Sequence, residues 1–170
     1  MYQRGEVVLY SAHGVCRITD IVRKTMAGET AEYYVLQPIY EEGSTLFLPT
    51  GNEKLTAKMR RIPPAEELLT LIRELPDQPS LWLEEESARR DTFRDIIARG
   101  ECSELMRMVR TLHLQRRRQQ EKGKHLRLSD ERFLKEAEKM LHDEFALVFH
   151  LDRDEVEPFI LQQIPEEKRA

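Results

Sequence analysis

The spacing of apolar residues changes once along the chain, at "RIPP" (61–64), and that change limits the possible folds more than any other feature. Upstream lie the short runs "EVVLY", "GVCRITDIV", "AEYYVLQPI" and "STLFLPT", rich in Val, Ile, Leu and Tyr. The stretches "SAHG", "MAGE", "EEGS" and "TGNE" separate them, the pattern of short strands joined by tight turns. Downstream, apolar residues recur at intervals of three and four. Proline cannot donate to a strand ladder and restricts the residue before it, so "RIPP" ends the sheet. Two small domains are expected. Residues 1–61 should form an all-β unit of four or five strands, a small antiparallel barrel or strongly bent sheet, and residues 65–165 an all-α bundle of about five helices. A chain of 170 residues, 40% of them hydrophobic, can supply two cores of that size.

Within the second half, Leu68, Leu69, Leu71 and Ile72 mark a first helix of about ten residues, ending near "LPDQP". A second is expected over 80–99 with Gly100 as its stop, and a third, capped by Ser103, to about Glu121 before "KGKH". Ser129 is expected to cap a fourth, with Asp130 and Glu131 in the first turn where the helix dipole favours anions. Its buried stripe is Phe133, Leu134, Ala137, Met140, Leu141, Phe145 and Val148. A fifth should run from about Asp154 to Gln163, with Pro158 near its start.

The formal net charge is −4, but it is unevenly distributed. Residues 89–128 hold 12 basic and 5 acidic groups; residues 63–88 hold 1 and 7, and residues 129–170 hold 6 and 12. A local field of this kind attracts a polyanion despite a negative total, and an ordinary solvated helix face has the same composition.

Chemistry-bearing constellations are scarce. His13 has only Ser11 and Cys16 nearby in sequence, and His113, His125, His142 and His150 fall at no HExxH or HxH spacing. His13 is therefore read as a turn residue, with Gly14 supplying the positive φ of a tight connection. Cys16 and Cys102 form no CxxC pattern and are read as small apolar fillers. No catalytic residue, metal, cofactor or small-molecule ligand is predicted. No apolar run approaches the roughly 18–20 residues that cross a bilayer, and the first residues carry no basic segment followed by an apolar one. A cytoplasmic location is expected.

Two blocks of sequence carry a family resemblance. "RGEVVLYSAHGVCRITDIV", "GETAEYYVLQPI" and "STLFLP" resemble the N-terminal module of the CarD and CdnL transcription regulators, shared with transcription-repair coupling factors. "ARRDTFRDIIARGECSELMRMVRTLHLQRRRQQ" followed by "LSDERFLKEAEKMLHDEFALV" resembles that family's helical C-terminal domain. The resemblance implies a Tudor-like sheet that binds the β subunit of RNA polymerase. It further implies helices that contact promoter DNA, largely without sequence specificity, to stabilise the open complex in a cytoplasmic, nucleoid-associated setting without catalysis. The alternative is a protein-interaction module of the same fold with no direct DNA contact.

By position, the implied polymerase face comprises Lys24 and the strand Thr45, Leu46, Phe47, Leu48 and Pro49, an edge suited to pairing with a partner strand. Some relatives carry a basic residue where Phe47 stands here, and for Phe47 a place in the core competes with the interface. The implied DNA face comprises Trp82, Arg89, Arg90, Arg94, Arg110, Arg116, Arg117, Lys122 and Lys124, with Arg107, Arg118 and Arg127 alongside. Relatives use a tryptophan as an apolar wedge in the minor groove. Theirs stands where Glu86 stands here, one helical turn from Trp82. On a helix over 80–99, about 100° per residue puts Trp82 on the stripe of Phe93, Ile96 and Ile97, so core packing competes with the wedge.

Overall fold

A computed structural model describes residues 1–10 and 13–169, so Ser11 and Ala12 of the expected first connection lie outside the described residues. The chain divides into two compact units, Met1–Ile62 and Pro63–Ala170.

The first unit is a five-stranded antiparallel sheet. Its strands are β1 (Val7–Tyr10), β2 (Gly14–Met26), β3 (Glu29–Pro38), β4 (Leu46–Pro49) and β5 (Met59–Arg61), in the order β4-β3-β2-β1-β5. The short helix α1 (Glu53–Thr56) precedes β5, and the Asn52 side chain caps it by accepting from Leu55 N at 3.2 Å. β2 is long enough to pair with β1 through its first residues and with β3 along nearly its whole length. The register shifts between Ile18 and Asp20, leaving Thr19 unpaired as a bulge. Such an insertion bends the strand, which lets one long β2 serve two neighbours. Val8, Cys16, Ile18, Tyr34, Leu36, Leu48 and Met59 form the core, with Tyr2 edge-on to Tyr34 and donating its hydroxyl to Met59 O at 3.2 Å. Between β2 and β3 the chain turns on Ala27 and Gly28, both at positive φ (52° and 82°), as a two-residue hairpin loop requires. His13 is exposed and stacks on Tyr10 with centroids 5.3 Å apart, and Gly14 has φ 71°.

The second unit contains α2 (Ala65–Glu74), α3 (Glu86–Arg99), α4 (Cys102–Glu121), α5 (Leu128–Phe149) and α6 (Val156–Gln163). Leu68 and Ile72 of α2, Phe93 and Ile96 of α3, Leu105, Met108 and Leu112 of α4, Leu134, Leu141 and Phe145 of α5, and Val156 of α6 fill its interior. Gly100 closes α3 in the left-handed conformation at φ 67° and donates to Ile96 O, so α4 begins two residues later. Among the described residues no helix is long and apolar enough to cross a membrane.

Three helix starts differ from the expectation. α4 begins at Cys102 and α5 at Leu128, so Ser103 and Ser129 lie inside their helices and cap neither, the cap positions being Glu101 and Arg127 with no side-chain hydrogen bond. α3 starts at Glu86, not Ser80. The backbone ahead of it is satisfied by side chains, several of them from α4: Leu81 N donates to the Thr111 hydroxyl at 3.0 Å, and Trp82 N donates to Ser80 Oγ at 3.2 Å. Arg107 donates to Pro79 O, while Arg110 donates to Gln78 O and Pro76 O. Glu85 then caps α3, accepting from Ala88 N at 3.3 Å. Trp82 is therefore not on a helix, and the periodicity that set it on the α3 stripe does not apply.

Candidate functional site

Among the described residues, β4 is an end strand of the sheet, bonded only to β3. Thr50 N donates to Glu32 O at 3.0 Å, and opposed residues in an antiparallel ladder alternate between bonded and non-bonded pairs. By this parity Leu46 and Leu48 bond to β3, whereas the N–H and C=O of Phe47 point to the open edge. Pro49, which has no N–H to lose, occupies a position of the same parity as Phe47.

Side chains follow the same alternation. Leu48 is 3% exposed in the core and Leu46 packs partly against it, so with their backbone groups bonded to β3 these two residues of the expected interface offer a partner neither side chain nor hydrogen-bonding backbone. Phe47 is 37% exposed and faces out with Thr45, contrary to the reading that it fills the core. The Lys24 ammonium lies over its ring, 4.1 Å from the centroid. Exposed cation–π contacts are worth about 0.5–1 kcal/mol, enough to bias the rotamers of both side chains. Val22, Tyr33 and Val35 share this outer face by pleat parity. The surface thus combines an unpaired strand edge, an exposed aromatic ring and one cation. The thiol of Cys16, in the core of this unit, is pushed up to about 11, first by burial and then by Glu41, and stays protonated.

In the helical unit the expected DNA-facing residues fall into two groups. Arg89 is buried at 3% and unavailable to phosphate. Its Nε and Nη2 donate to the two Asp130 oxygens at 3.1 and 3.0 Å, Nη1 donates to Leu83 O at 2.8 Å and Glu84 O at 3.4 Å, and its guanidinium lies 4.1 Å from the Trp82 ring centroid. One side chain thereby ties the 80–85 segment, the first turn of α3 and the first turn of α5 together. The sequence contains a signal for this. Arg89 precedes Phe93 by four and Ile96 by seven, placing it on the buried stripe. Its partner Asp130 stands out in the sequence only as an acid favoured by a helix dipole. Arg110 likewise holds backbone carbonyls and is not a free cation. Arg116 donates to Nδ1 of His113 at 2.9 Å. Because arginine can only donate, that nitrogen accepts and Nε2 carries the hydrogen toward Glu138 Oε1 at 2.7 Å.

The second group is exposed: Arg90 and Arg94 on α3, Arg117 and Arg118 near the end of α4, and Lys122 and Lys124 in the following loop. Arg94 has a 3.5 Å contact to Asp91 on the same helix face. Trp82 is half-buried and borders a depression of about 290 Å3 with Glu84, Glu86, Gln119, His125 and Arg127, the Arg89–Asp130 pair also lining it. That depression joins the tryptophan to the basic end of α4 and its loop. Of the acidic triplet, Glu85 caps α3 and Glu86 pairs with Arg127 at 2.9 Å, so two of the three carboxylates have local structural uses. Asp152, Asp154 and Glu155 bring ligand atoms within 4.8 Å of one another, but on an exposed turn where acidic clusters are ordinary.

Two family models match this chain. Residues 2–63 match the CarD-like/TRCF RID domain, and residues 71–161 match the CarD C-terminal domain. Between them they cover both compact units.

Proposed function

The chain belongs to the CarD family of RNA-polymerase-interacting transcription regulators, and on that premise we propose that it binds the polymerase β subunit and promoter DNA together and stabilises the open promoter complex. Residues 1–61 supply the polymerase contact through Lys24, Phe47 and the β4 edge, and residues 65–165 supply the DNA contact. The factor catalyses no reaction and works in the cytoplasm, on the nucleoid wherever polymerase carries it.

The observation that carries the reading is the Lys24–Phe47 pair beside the open β4 edge, in the unit matching the RID domain. An added strand supplies main-chain hydrogen bonds, and an aromatic anchor adds specificity. On the helical side, Trp82 held by Arg89 is a preorganised apolar tip, while Arg90, Arg94, Arg117, Lys122 and Lys124 position phosphates without reading sequence. Each contact is weak alone. Binding polymerase raises the effective concentration of the helical unit at the melted duplex, so a modest DNA surface suffices.

A second reading, a polymerase-binding module with no direct DNA contact, draws support from Arg89, Arg107 and Arg110 being bonded internally. Binding to a forked promoter template, with and without polymerase and across a salt series, separates the two. The proposal expects polymerase-dependent protection of the template that declines steeply with salt. Polymerase binding with no added protection of the template supports the second reading instead.

A further inference from the structure

The helical unit contains a cavity of about 220 Å3 lined by Met106, Val109, Leu141, Ile160, Leu161 and Ile164, from α4, α5, α6 and the segment after α6. Its apolar lining serves neither proposed contact, and of its border only Arg117 also belongs to the proposed DNA surface. Protein interiors normally close over such apolar side chains, and a smaller apolar cavity of roughly 150 Å3 is enough to take up benzene. Here the lining reaches the surface, with Leu161 still 48% exposed.

The border of the cavity is cationic. Arg110, Arg117, Lys168 and Arg169 line it, and Glu157 is the one lining carboxylate. Three of these cations are fixed elsewhere. Arg110 donates to Pro76 O and Gln78 O, Lys168 pairs with Asp77 at 2.9 Å, and Arg169 donates to Ile164 O at 2.8 Å. His113 has both ring nitrogens engaged. Arg117 differs. It stands on the same α4 face as Arg110, His113 and Leu114, is exposed, and makes no hydrogen bond or ion pair with any described residue. Its five donors are free to take an anion at the mouth of the cavity.

We infer that this cavity binds a small amphiphile with an apolar body and one carboxylate: the body lies among Met106, Val109, Leu141, Ile160 and Leu161, and the carboxylate pairs with Arg117. A neutral apolar ligand would leave Arg117 without a partner, and a peptide helix would need a groove several times larger than this pocket. The inference is independent of the polymerase contact, since it concerns the isolated chain.

The test is methyl-resolved NMR titration of the full chain with octanoate, octanol and octylammonium at matched concentrations. Octanoate should shift the Met106, Leu141, Ile160 and Leu161 methyls saturably and bind at least about tenfold more tightly than octylammonium, and Arg117→Glu should weaken it by about tenfold. Arg117 is exposed, so that variant should fold, and unchanged methyl spectra without ligand would verify it. Equal response to all three compounds, shifts spread outside the cavity, or unaltered affinity in Arg117→Glu would each overturn the assignment.

Discussion

Replacing Asp130 with alanine should destabilise the helical unit by about 3–5 kcal/mol, the range for deleting one member of a buried ion pair and stranding the other. The structure puts this pair under the conditions where that range applies. Both side chains are almost fully buried, and Asp130 accepts two guanidinium hydrogen bonds at 3.1 and 3.0 Å. After its removal Arg89 retains the carbonyls of Leu83 and Glu84 and the face of the Trp82 ring, which solvate the cation without neutralising it. For a unit of about 100 residues, each kcal/mol moves the midpoint by about 4–8 °C, so Tm should fall by about 12 °C or more. The assay is thermal and urea unfolding followed by tryptophan fluorescence. Trp82 is the chain's single tryptophan and stacks on Arg89, so the signal reports this unit. The double variant Arg89→Met/Asp130→Leu removes both charges and should recover much of the loss, because replacing a whole buried pair by apolar side chains is often neutral. A loss under about 1 kcal/mol for Asp130→Ala, or a double variant as unstable as the single one, would refute the reasoning.

Trp82→Ala should shorten the lifetime of a competitor-challenged open complex while leaving polymerase affinity within about twofold, with circular dichroism verifying the fold; an unchanged lifetime would remove Trp82 from the DNA contact. Neutralising Arg117, Lys122 and Lys124 together should reduce the slope of log K against log salt on forked DNA by about 0.9 for each phosphate no longer neutralised, measured by anisotropy across a salt series. The hydrogen bond from His113 holds the Glu138 carboxyl below its ordinary value near 4.5, and this outweighs the opposing effect of burial. A depressed folded value stabilises fully above the unfolded pKa and is lost as pH falls through the folded one. Wild type should therefore lose stability below about pH 4.5 relative to Glu138→Gln, a comparison that cancels Asp143, whose carboxyl burial pushes up.

The strands, the helices and the division at "RIPP" were legible because apolar spacing is a local property, two residues on a pleat and about 3.6 on a helix. The start of α3 was not, since Ser80 ahead of an apolar segment looks like a cap. What stops the helix there is Thr111, Arg107 and Arg110 reaching from another element thirty residues away. Phe47 could not be oriented from sequence because Leu46 and Leu48 flank it, leaving no alternation to read; the ladder to β3 decides the faces. Arg89 and Arg90 show the same limit for the helices. Adjacent and chemically identical, they differ by one step around α3, which buries the first against Asp130 and exposes the second. Summing basic residues over a segment cannot make that distinction. The cavity beside Arg117 had no sequence signal, because its lining comes from three helices, the segment that follows them and Leu75 and Pro76 after α2.

The central claim is that the sheet grips the transcription enzyme through the exposed ring of Phe47 and the free edge beside it. The most direct measurement is the equilibrium affinity of the purified chain for RNA polymerase and for its isolated β subunit, wild type against Phe47→Ala, with sheet integrity followed by circular dichroism. The account predicts binding to both and a loss of at least about tenfold in the folded variant, in line with removal of an aromatic anchor. Absence of binding to the β subunit, or identical affinity for the variant, would contradict it.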